Sequence, residues 1–274
     1  MNFSEKKINI LVSLPYKSAK LFSKIAPFRG NNIFVSSDPE GKQCGSAGGT
    51  AHLLLSAWQS HIKNSKKNFV DWLMSSRMLI IHGCGESRRL PAYAAVGKPL
   101  LPIPFISGAI GQRPDQKLLD LQITSYEHFL FHAPESYRVM TTCGDVLITA
   151  DEIIPPYPVA DILIVGMPST PEEASHHGVL ISAPNNHHLL ETFLQKPSVH
   201  FLGKIIGMKE FYIDTGIWFF SAKAVRFLLG KCGITDRNIN NTKHRINYCD
   251  LFGEIGLLLG TKPYKKGNIH SLTT

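Results

Sequence analysis

The 274-residue sequence lacks any uninterrupted apolar run of about eighteen residues, the length that indicates a membrane-spanning helix. A brief apolar run over residues 8–14 follows Glu5, Lys6 and Lys7, but it carries no small-residue cleavage site of the kind that ends a secretory signal peptide. We therefore expect a cytoplasmic protein that is neither secreted nor in contact with a membrane.

Cysteine is scarce, and its occurrences form neither C-x-x-C pairs nor the dense spacing of a disulfide framework. Reduced thiols, as in a cytosolic protein, are the expected state. The five cysteines are Cys44, Cys84, Cys143, Cys232 and Cys249.

The sequence also lacks a basic stripe with interleaved aromatic residues, although its net charge is +8. Lysine and arginine are scattered from Lys6 to Lys266, so we expect no nucleic-acid partner. A phosphorylated small substrate would suit the same excess of positive charge. Internal repeats and low-complexity tracts are absent, and 43% of the residues are apolar, so the chain has the composition of an ordinary globular protein.

Strand-like and helix-like patterns alternate along the chain. Leu119, Ile123, Tyr126 and Leu130 recur at helical spacing, and Ala222, Val225, Leu228 and Leu229 do so again. The predicted strands cover residues 78–81, 137–142, 161–166, 178–181 and 211–220. This order predicts a layered α/β fold in which helices flank a mixed, mostly parallel sheet.

Residues 82–91, with the sequence H-G-C-G-E-S-R-R-L-P, form the most informative segment, because glycines follow directly on a predicted buried strand. Gly83 and Gly85 would let backbone N–H groups turn toward an anion, Arg88 could fork onto phosphate oxygens, and Lys98 could add a movable charge. Arg88 stands where a dinucleotide-binding loop has its third glycine, and the spacing of a P-loop is absent. On its own, however, such a segment is often only a turn.

Two aspartates lie where a ligand crevice is expected, beyond strand ends. Asp145 follows a strand and a glycine, although a turn or helix-cap role is the commoner one for a Gly-Asp pair. Asp214 interrupts the apolar run 211–220, so a cation or a strong donor set should accompany it. Together they suit Mg²⁺ held by two carboxylates, substrate phosphates and water.

Several segments resemble known elements of sugar-1-phosphate nucleotidyltransferases. Residues 83–99 resemble their glycine-rich signature loop, residues 194–197 (L-Q-K-P) resemble a Glu-Lys-Pro element, and residues 214–217 (D-T-G-I) resemble an Asn-Thr-Gly-Ile element. A closer resemblance is to the nucleotidyltransferase half of bifunctional fucokinase/L-fucose-1-phosphate guanylyltransferases. Its seven motifs occur in the family's order at residues 37–42, 45–50, 87–91, 143–146, 175–179, 194–198 and 214–218.

The resemblance implies a role for each of these segments. Arg88, Lys98 and Lys196 would be catalytic, contacting the β- and γ-phosphates, the α-phosphate and the sugar phosphate respectively. Asp145 and Asp214 would hold Mg²⁺. The nucleotide would be bound by Gly45, Ser46, Gly48, Gly49, Gly83, Gly85 and Ser87, although residues 45–50 could equally be the turn that starts a helix.

The sugar would be bound by His177, Gly178 and Gln195. If His176 and His177 lie on a strand, they point to opposite faces, and we expect His176 to pack or to face solvent. Gln195 stands where the wider superfamily has glutamate, which leaves its contact with the sugar hydroxyls open.

The implied reaction joins GTP and a sugar-1-phosphate, L-fucose-1-phosphate in this family, into a GDP-sugar and pyrophosphate. We expect one Rossmann-like nucleotidyltransferase domain over residues 1–274, with residues 264–274 as a disordered tail and without the family's kinase and β-helical regions. Three alternatives stay open. They are a nucleotidyltransferase for another sugar and base, a truncated or catalytically impaired nucleotide-binding module, and a dinucleotide-dependent oxidoreductase that rests only on the glycine loop.

Overall fold

The structure is a computed structural model that describes residues 8–25, 33–62, 67–84, 91–103, 115–148, 156–205, 209–240 and 246–263. Residues 85–90, which include Gly85, Ser87 and Arg88, lie outside the described residues, as do residues 264–274. The roles predicted for them stay predictions.

In the described residues, eight strands alternate with helices. The first half of the chain contains β1 (Ile8–Ser13), α1 (Tyr16–Ile25), β2 (Ile33–Ser36), α2 (Gly45–Ile62), α3 (Phe69–Ser75), β3 (Arg77–His82), α4 (Leu118–His132) and β4 (Tyr137–Cys143). The second half contains β5 (Ile162–Met167), α5 (Pro171–Ala174), β6 (Gly178–Ala183), β7 (Asn186–Gln195), α6 (Val199–Ile205), β8 (Phe211–Ser221) and α7 (Ala222–Lys231). Short helical turns occupy Pro91–Tyr93, Lys98–Leu100, Leu251–Ile255 and Gly256–Leu258.

All eight strands belong to one sheet of order β2-β1-β3-β4-β8-β6-β7, with β5 also paired to β8. Strands β1 to β4 are parallel to one another, whereas β8 is antiparallel to β4, β5 and β6, and β6 and β7 form an antiparallel hairpin. The α/β class and the mixed sheet are therefore confirmed, with parallel pairing in the amino-terminal half. Strands β6 and β7 are antiparallel because a tight turn, too short for a crossover helix, joins them.

The central strands are buried on both faces and alternate between two cores. Ile80, Trp218 and Phe220 point into a core that they share with α2, α3 and α7. Leu79, Ile81, Ile217 and Phe219 point into a second core with α4. This period of two, inside a continuous apolar run, is what a sheet with helices on both faces requires.

Two properties bear on the environment of the chain. Within the described segments, no helix is both long and apolar enough to cross a membrane. All five cysteines are free thiols, as expected from their spacing.

Candidate active site

The parallel strands end at one edge of the sheet, and their last residues pack backbone against backbone. The amide of Gly83 donates to the carbonyl of Ser13 at 2.8 Å, and the amide of Gly144 donates to the carbonyl of His82 at 2.8 Å. A Cβ atom on Gly83 would lie 2.6 Å from the Ser13 oxygen, and one on Gly144 would lie 2.5 Å from the His82 oxygen. Glycine is therefore required at both positions for close packing, whatever the loop binds.

Lys98 and Asp145 meet above this edge. Lys98 begins a short helical turn after Gly97, whose φ of 99° also favours glycine. Its ammonium forms an ion pair with Oδ2 of Asp145, and the two side chains are 25% and 45% exposed. The structure thus joins the lysine predicted to contact phosphate to one of the aspartates predicted to bind the metal.

Asp214 lies next to this pair across the junction of β4 and β8. The strand register pairs Thr141 with Trp218, and two residues further along, a Cβ on Gly216 would lie 2.7 Å from the sulfur of Cys143. Asp145 lies two residues after Cys143, and Asp214 lies two residues before Gly216, so the two aspartates follow in the same alignment of the segments. Burial first, and then these two carboxylates, raise the pKa of Cys143 to about 12, so both acidic groups flank one thiol.

The Asp214 carboxylate has the strong donor set that its sequence context requires. Its Oδ1 accepts hydrogen bonds from the Gly216 amide at 2.8 Å and from the Trp218 indole at 3.0 Å. These donors are neutral, and burial outweighs them, raising the pKa of Asp214 to about 6. A charged partner would relieve that cost, and no ion pair among the described residues supplies one.

A divalent cation fits the chemistry of this pair of carboxylates, because Mg²⁺ prefers oxygen ligands and keeps positions for phosphate and water. In the part of the chain that the structure describes, no three His, Cys, Asp or Glu side chains come together as a metal site. Asp145 and Asp214 could therefore supply only part of the coordination, with the rest left to substrate.

The residues predicted to bind the sugar adjoin Asp214. Gly178 pairs with Gln195 across the β6–β7 hairpin. A Cβ on Gly178 would lie 3.2 Å from Cβ of Asp214 and 3.3 Å from Oε1 of Gln195. Lys196 has a positive φ of 49°, and its amide donates to the carbonyl of His177 at 3.0 Å. Four of these residues, 177, 178, 195 and 196, thus form one exposed or half-buried cluster beside the carboxylates.

The strand assumed for the two histidines is wrong, because β6 begins only at Gly178. The amides of His176 and His177 instead donate to the carbonyls of Glu173 and Ala174, in the turn that follows α5. His176 is exposed, as expected, and His177 is half-buried.

Residues 45–50, the first glycine segment, form the start of α2. This is the alternative in which the segment is the turn that starts a helix. The amides of Ala47 and Gly48 donate to the carbonyl of Cys249 at 3.0 and 3.1 Å, and the Ser46 hydroxyl accepts from the Leu251 amide at 2.7 Å. A Cβ on Gly45, which has a φ of +75°, would clash with the same Cys249 oxygen. Gly45, Ser46 and Gly48 therefore dock the 249–251 segment, and their predicted contacts with a nucleotide stay predictions.

Comparison with known proteins identifies the family of the chain. A family model described as the fucose pyrophosphorylase domain matches residues 70–259. The chain belongs to this family. It is 34% identical over 253 residues to L-fucokinase/L-fucose-1-P guanylyltransferase of Bacteroides fragilis, covering 92% of this chain and 26% of that protein. It is 28% identical over 204 residues to the bifunctional fucokinase/GDP-fucose pyrophosphorylase of Arabidopsis thaliana, covering 66% of this chain and 19% of that protein. The chain thus spans about a quarter or less of the length of these curated relatives.

The chain has a partly buried polar network around His82 that sequence reasoning missed. Nε2 of His82 lies 2.9 Å from Oγ1 of Thr50, and Nδ1 lies 3.5 Å from Oγ of Ser13. The Thr50 hydroxyl donates its proton to the Ser46 carbonyl at 2.9 Å, which assigns the Nε2–H tautomer to His82. Burial lowers the pKa of His82 to about 4, so the imidazole is neutral at pH 7. The network links α2 to the start of the glycine loop.

Asp38 is a second residue that was missed, although it belongs to the motif at residues 37–42. It follows β2, and its Oδ2 accepts a hydrogen bond from the Cys44 amide at 3.2 Å. Gly49 faces it, because a Cβ there would lie 3.4 Å from Oδ1 of Asp38 and 3.9 Å from Cε1 of His82. No local sequence pattern indicates that Asp38 lies close to a glycine eleven positions away, because only the tertiary fold brings the two residues together.

The candidate site residues and their polar neighbours thus lie along the edge of the sheet, with each strand in the main order of the sheet contributing one of them. From β2 to β7 the edge carries Asp38, Ser13, His82, Asp145, Asp214, Gly178 and Gln195.

Proposed function

We propose that this chain transfers GMP from GTP to L-fucose-1-phosphate, forming GDP-L-fucose and pyrophosphate. The observation that carries the proposal is the meeting of Lys98, Asp145 and Asp214 beside Gly178 and Gln195. A lysine and two carboxylates that suit Mg²⁺, with the polar residues at 177, 195 and 196 beside them, suit a reaction between two phosphates. The names of the two relatives support fucose and guanine as the substrate moieties.

In the proposed reaction, an oxygen of the sugar phosphate attacks the α-phosphorus of GTP, and the bond to pyrophosphate breaks in line. The nucleophile is already anionic, so no general base is needed, and the barrier is charge repulsion and misorientation. Mg²⁺, held by Asp145 and Asp214, would supply positive charge to the phosphate oxygens.

The chain's own residues would do the rest. The ion pair of Lys98 and Asp145 would separate when substrate and cation bind. Lys98 would then contact the α-phosphate, and Asp145 would contact the cation. Lys196, on the turn at the end of β7, would hold the sugar phosphate, and Arg88 the β- and γ-phosphates. The five free thiols support the cytoplasm, where thiols stay reduced, as the location.

A pyrophosphate-release assay tests the proposal by crossing four nucleoside triphosphates with several sugar-1-phosphates, with and without Mg²⁺. We expect turnover that needs GTP, L-fucose-1-phosphate and Mg²⁺ together. Turnover with another pair would indicate another nucleotidyltransferase, and GTP binding without turnover would indicate a binding module. Saturation by NAD in place of GTP would instead indicate an oxidoreductase.

A matched control is available for the central lysine. Lys223 also pairs with an aspartate, Asp161 at 2.7 Å, but it is 83% exposed and lies at the opposite edge of the sheet. Lys98→Ala should lose turnover while Lys223→Ala keeps it. Equal losses in the two variants would contradict a specific role for Lys98.

A further inference from the structure

Asp38 lies at the β2 end of the edge with one carboxylate oxygen anchored. The Cys44 amide holds Oδ2, and Oδ1 is turned toward Gly49 at the start of α2. The residue is half-buried, and the hydrogen bond from the Cys44 amide restrains the orientation of its carboxylate. A carboxylate held in this way beside the ends of the strands is suited to accepting hydrogen bonds from a ligand.

The charge of Asp38 is only partly compensated, because the charge of neighbouring His52 lowers its pKa less than burial raises it. Asp38 takes part in none of the ion pairs found among the described residues. Burial raises its pKa, which the Cys44 hydrogen bond only partly offsets. A ligand with N–H donors would compensate this partly desolvated carboxylate.

The sheet order sets the distance between Asp38 and the reaction centre. Strands β2 and β4 are separated by β1 and β3, so three strand spacings of about 4.8 Å put Asp38 about 14 Å from the Lys98–Asp145 pair. In a nucleotide the ribose is joined directly to the α-phosphate, whereas the base lies beyond it. A group this far from the α-phosphate position is placed for the base.

The geometry points to Asp38 as the residue that selects guanine, an inference that rests on the proposed function. Guanine presents two adjacent donors, N1–H and the N2 amino group, which match the two oxygens of a carboxylate. Uracil flanks its one N–H with carbonyl oxygens, which a carboxylate would repel, and adenine and cytosine offer an acceptor beside their amino group. Gly49 leaves the space over α2 open beside Oδ1.

Two analogues of GTP separate the possible contacts. ITP lacks only the N2 amino group, and 2′-deoxy-GTP lacks only a ribose hydroxyl. For the wild-type chain we expect kcat/KM for ITP to be about 10- to 100-fold below that for GTP, the effect of losing one hydrogen bond to a charged group. The ratio of 2′-deoxy-GTP to GTP should be insensitive to Asp38.

The decisive variant is Asp38→Asn, which keeps an acceptor for the Cys44 amide. We expect kcat/KM for GTP to fall about 10- to 100-fold and the GTP/ITP ratio to shrink to within about threefold of one. Glu40→Gln, a change of an exposed neighbouring carboxylate, should leave both values unchanged. An unchanged GTP/ITP ratio in Asp38→Asn would overturn the inference, and so would a change confined to the 2′-deoxy-GTP ratio, which would assign Asp38 to the ribose.

Equilibrium binding of GTP and ITP to the full chain, measured by calorimetry, keeps this inference separate from the proposed function. A chain without turnover that still prefers GTP through Asp38 would refute the reaction and support the inference. If Asp38→Asn does not fold, the wild-type preference decides, because equal affinity for GTP and ITP would overturn the role of Asp38.

Discussion

Replacing Asp214 by asparagine should stabilise the fold above pH 6 while abolishing activity. The asparagine side chain would be nearly isosteric and would keep an oxygen for the Gly216 amide and the Trp218 indole, which donate to Asp214 at 2.8 and 3.0 Å. The substitution removes only the charge. It therefore separates the electrostatic cost of this carboxylate from its packing.

The magnitude follows from the pKa of Asp214, which burial raises from an ordinary 3.8 to about 6. Between these values the folded chain holds a proton that the unfolded chain has lost, so stability falls as pH rises through this window. The full difference of about two pKa units is worth about 3 kcal/mol, of which about 2 kcal/mol falls between pH 4.5 and 7.5. The free energy of unfolding of Asp214→Asn should not show this decrease, because asparagine does not titrate.

Urea unfolding of the wild-type and variant chains at pH 4.5 and 7.5, without metal, measures the effect. The stability advantage of Asp214→Asn should grow by about 2 kcal/mol between the two pH values. Asp161→Asn is the control, because Lys223 and Ser221 lower the pKa of Asp161 and its removal should not stabilise the chain at high pH. An advantage of Asp214→Asn that stays constant or shrinks with pH would refute the reasoning.

Three further predictions concern other parts of the site. Lys98→Ala should lower kcat by about 10²-fold or more, the typical loss for one contact to transition-state charge, and near-wild-type turnover would contradict its role. His82 is neutral in the folded chain, where its pKa is about 4, and it gains a proton on unfolding when the pH is below about 6.5. His82→Gln should therefore make the free energy of unfolding less sensitive to acid, and unfolding free energies at pH 5 and 7 test this. Gly178→Ala, whose Cβ would lie 2.8 Å from the Phe193 ring and 3.2 Å from Cβ of Asp214, should raise KM for the sugar phosphate more than KM for GTP in steady-state assays.

Much of the fold was predictable because its strands and helices have strong periodic patterns. The run 211–220 predicted β8, and the apolar spacing from Leu119 to Leu130 predicted α4, with bounds within one or two residues. Strand β7 was missed, since Asn186, His187 and His188 give its first half a polar, loop-like composition. Pairing with β6 overrides that local preference, and with it the sheet gains its antiparallel half.

The site was predictable as a set of segments but not as a set of contacts. Sequence motifs selected Lys98, Asp145 and Asp214 separately, and only the register of β4 with β8 brings the two aspartates together. The carboxylate of Asp38 was overlooked because its neighbour in space, Gly49, is eleven positions away in the sequence. Long-range strand order, which no local pattern encodes, turns these residues into one edge.

The most direct test of this edge as a two-substrate site follows the fate of the α-phosphate. The full chain is incubated with Mg²⁺, L-fucose-1-phosphate and GTP labelled at the α-phosphorus, and the products are separated by chromatography. We predict that the label moves into GDP-L-fucose in step with pyrophosphate release. Label that stays in GTP, or moves to GMP or GDP without joining the sugar, would contradict the proposal.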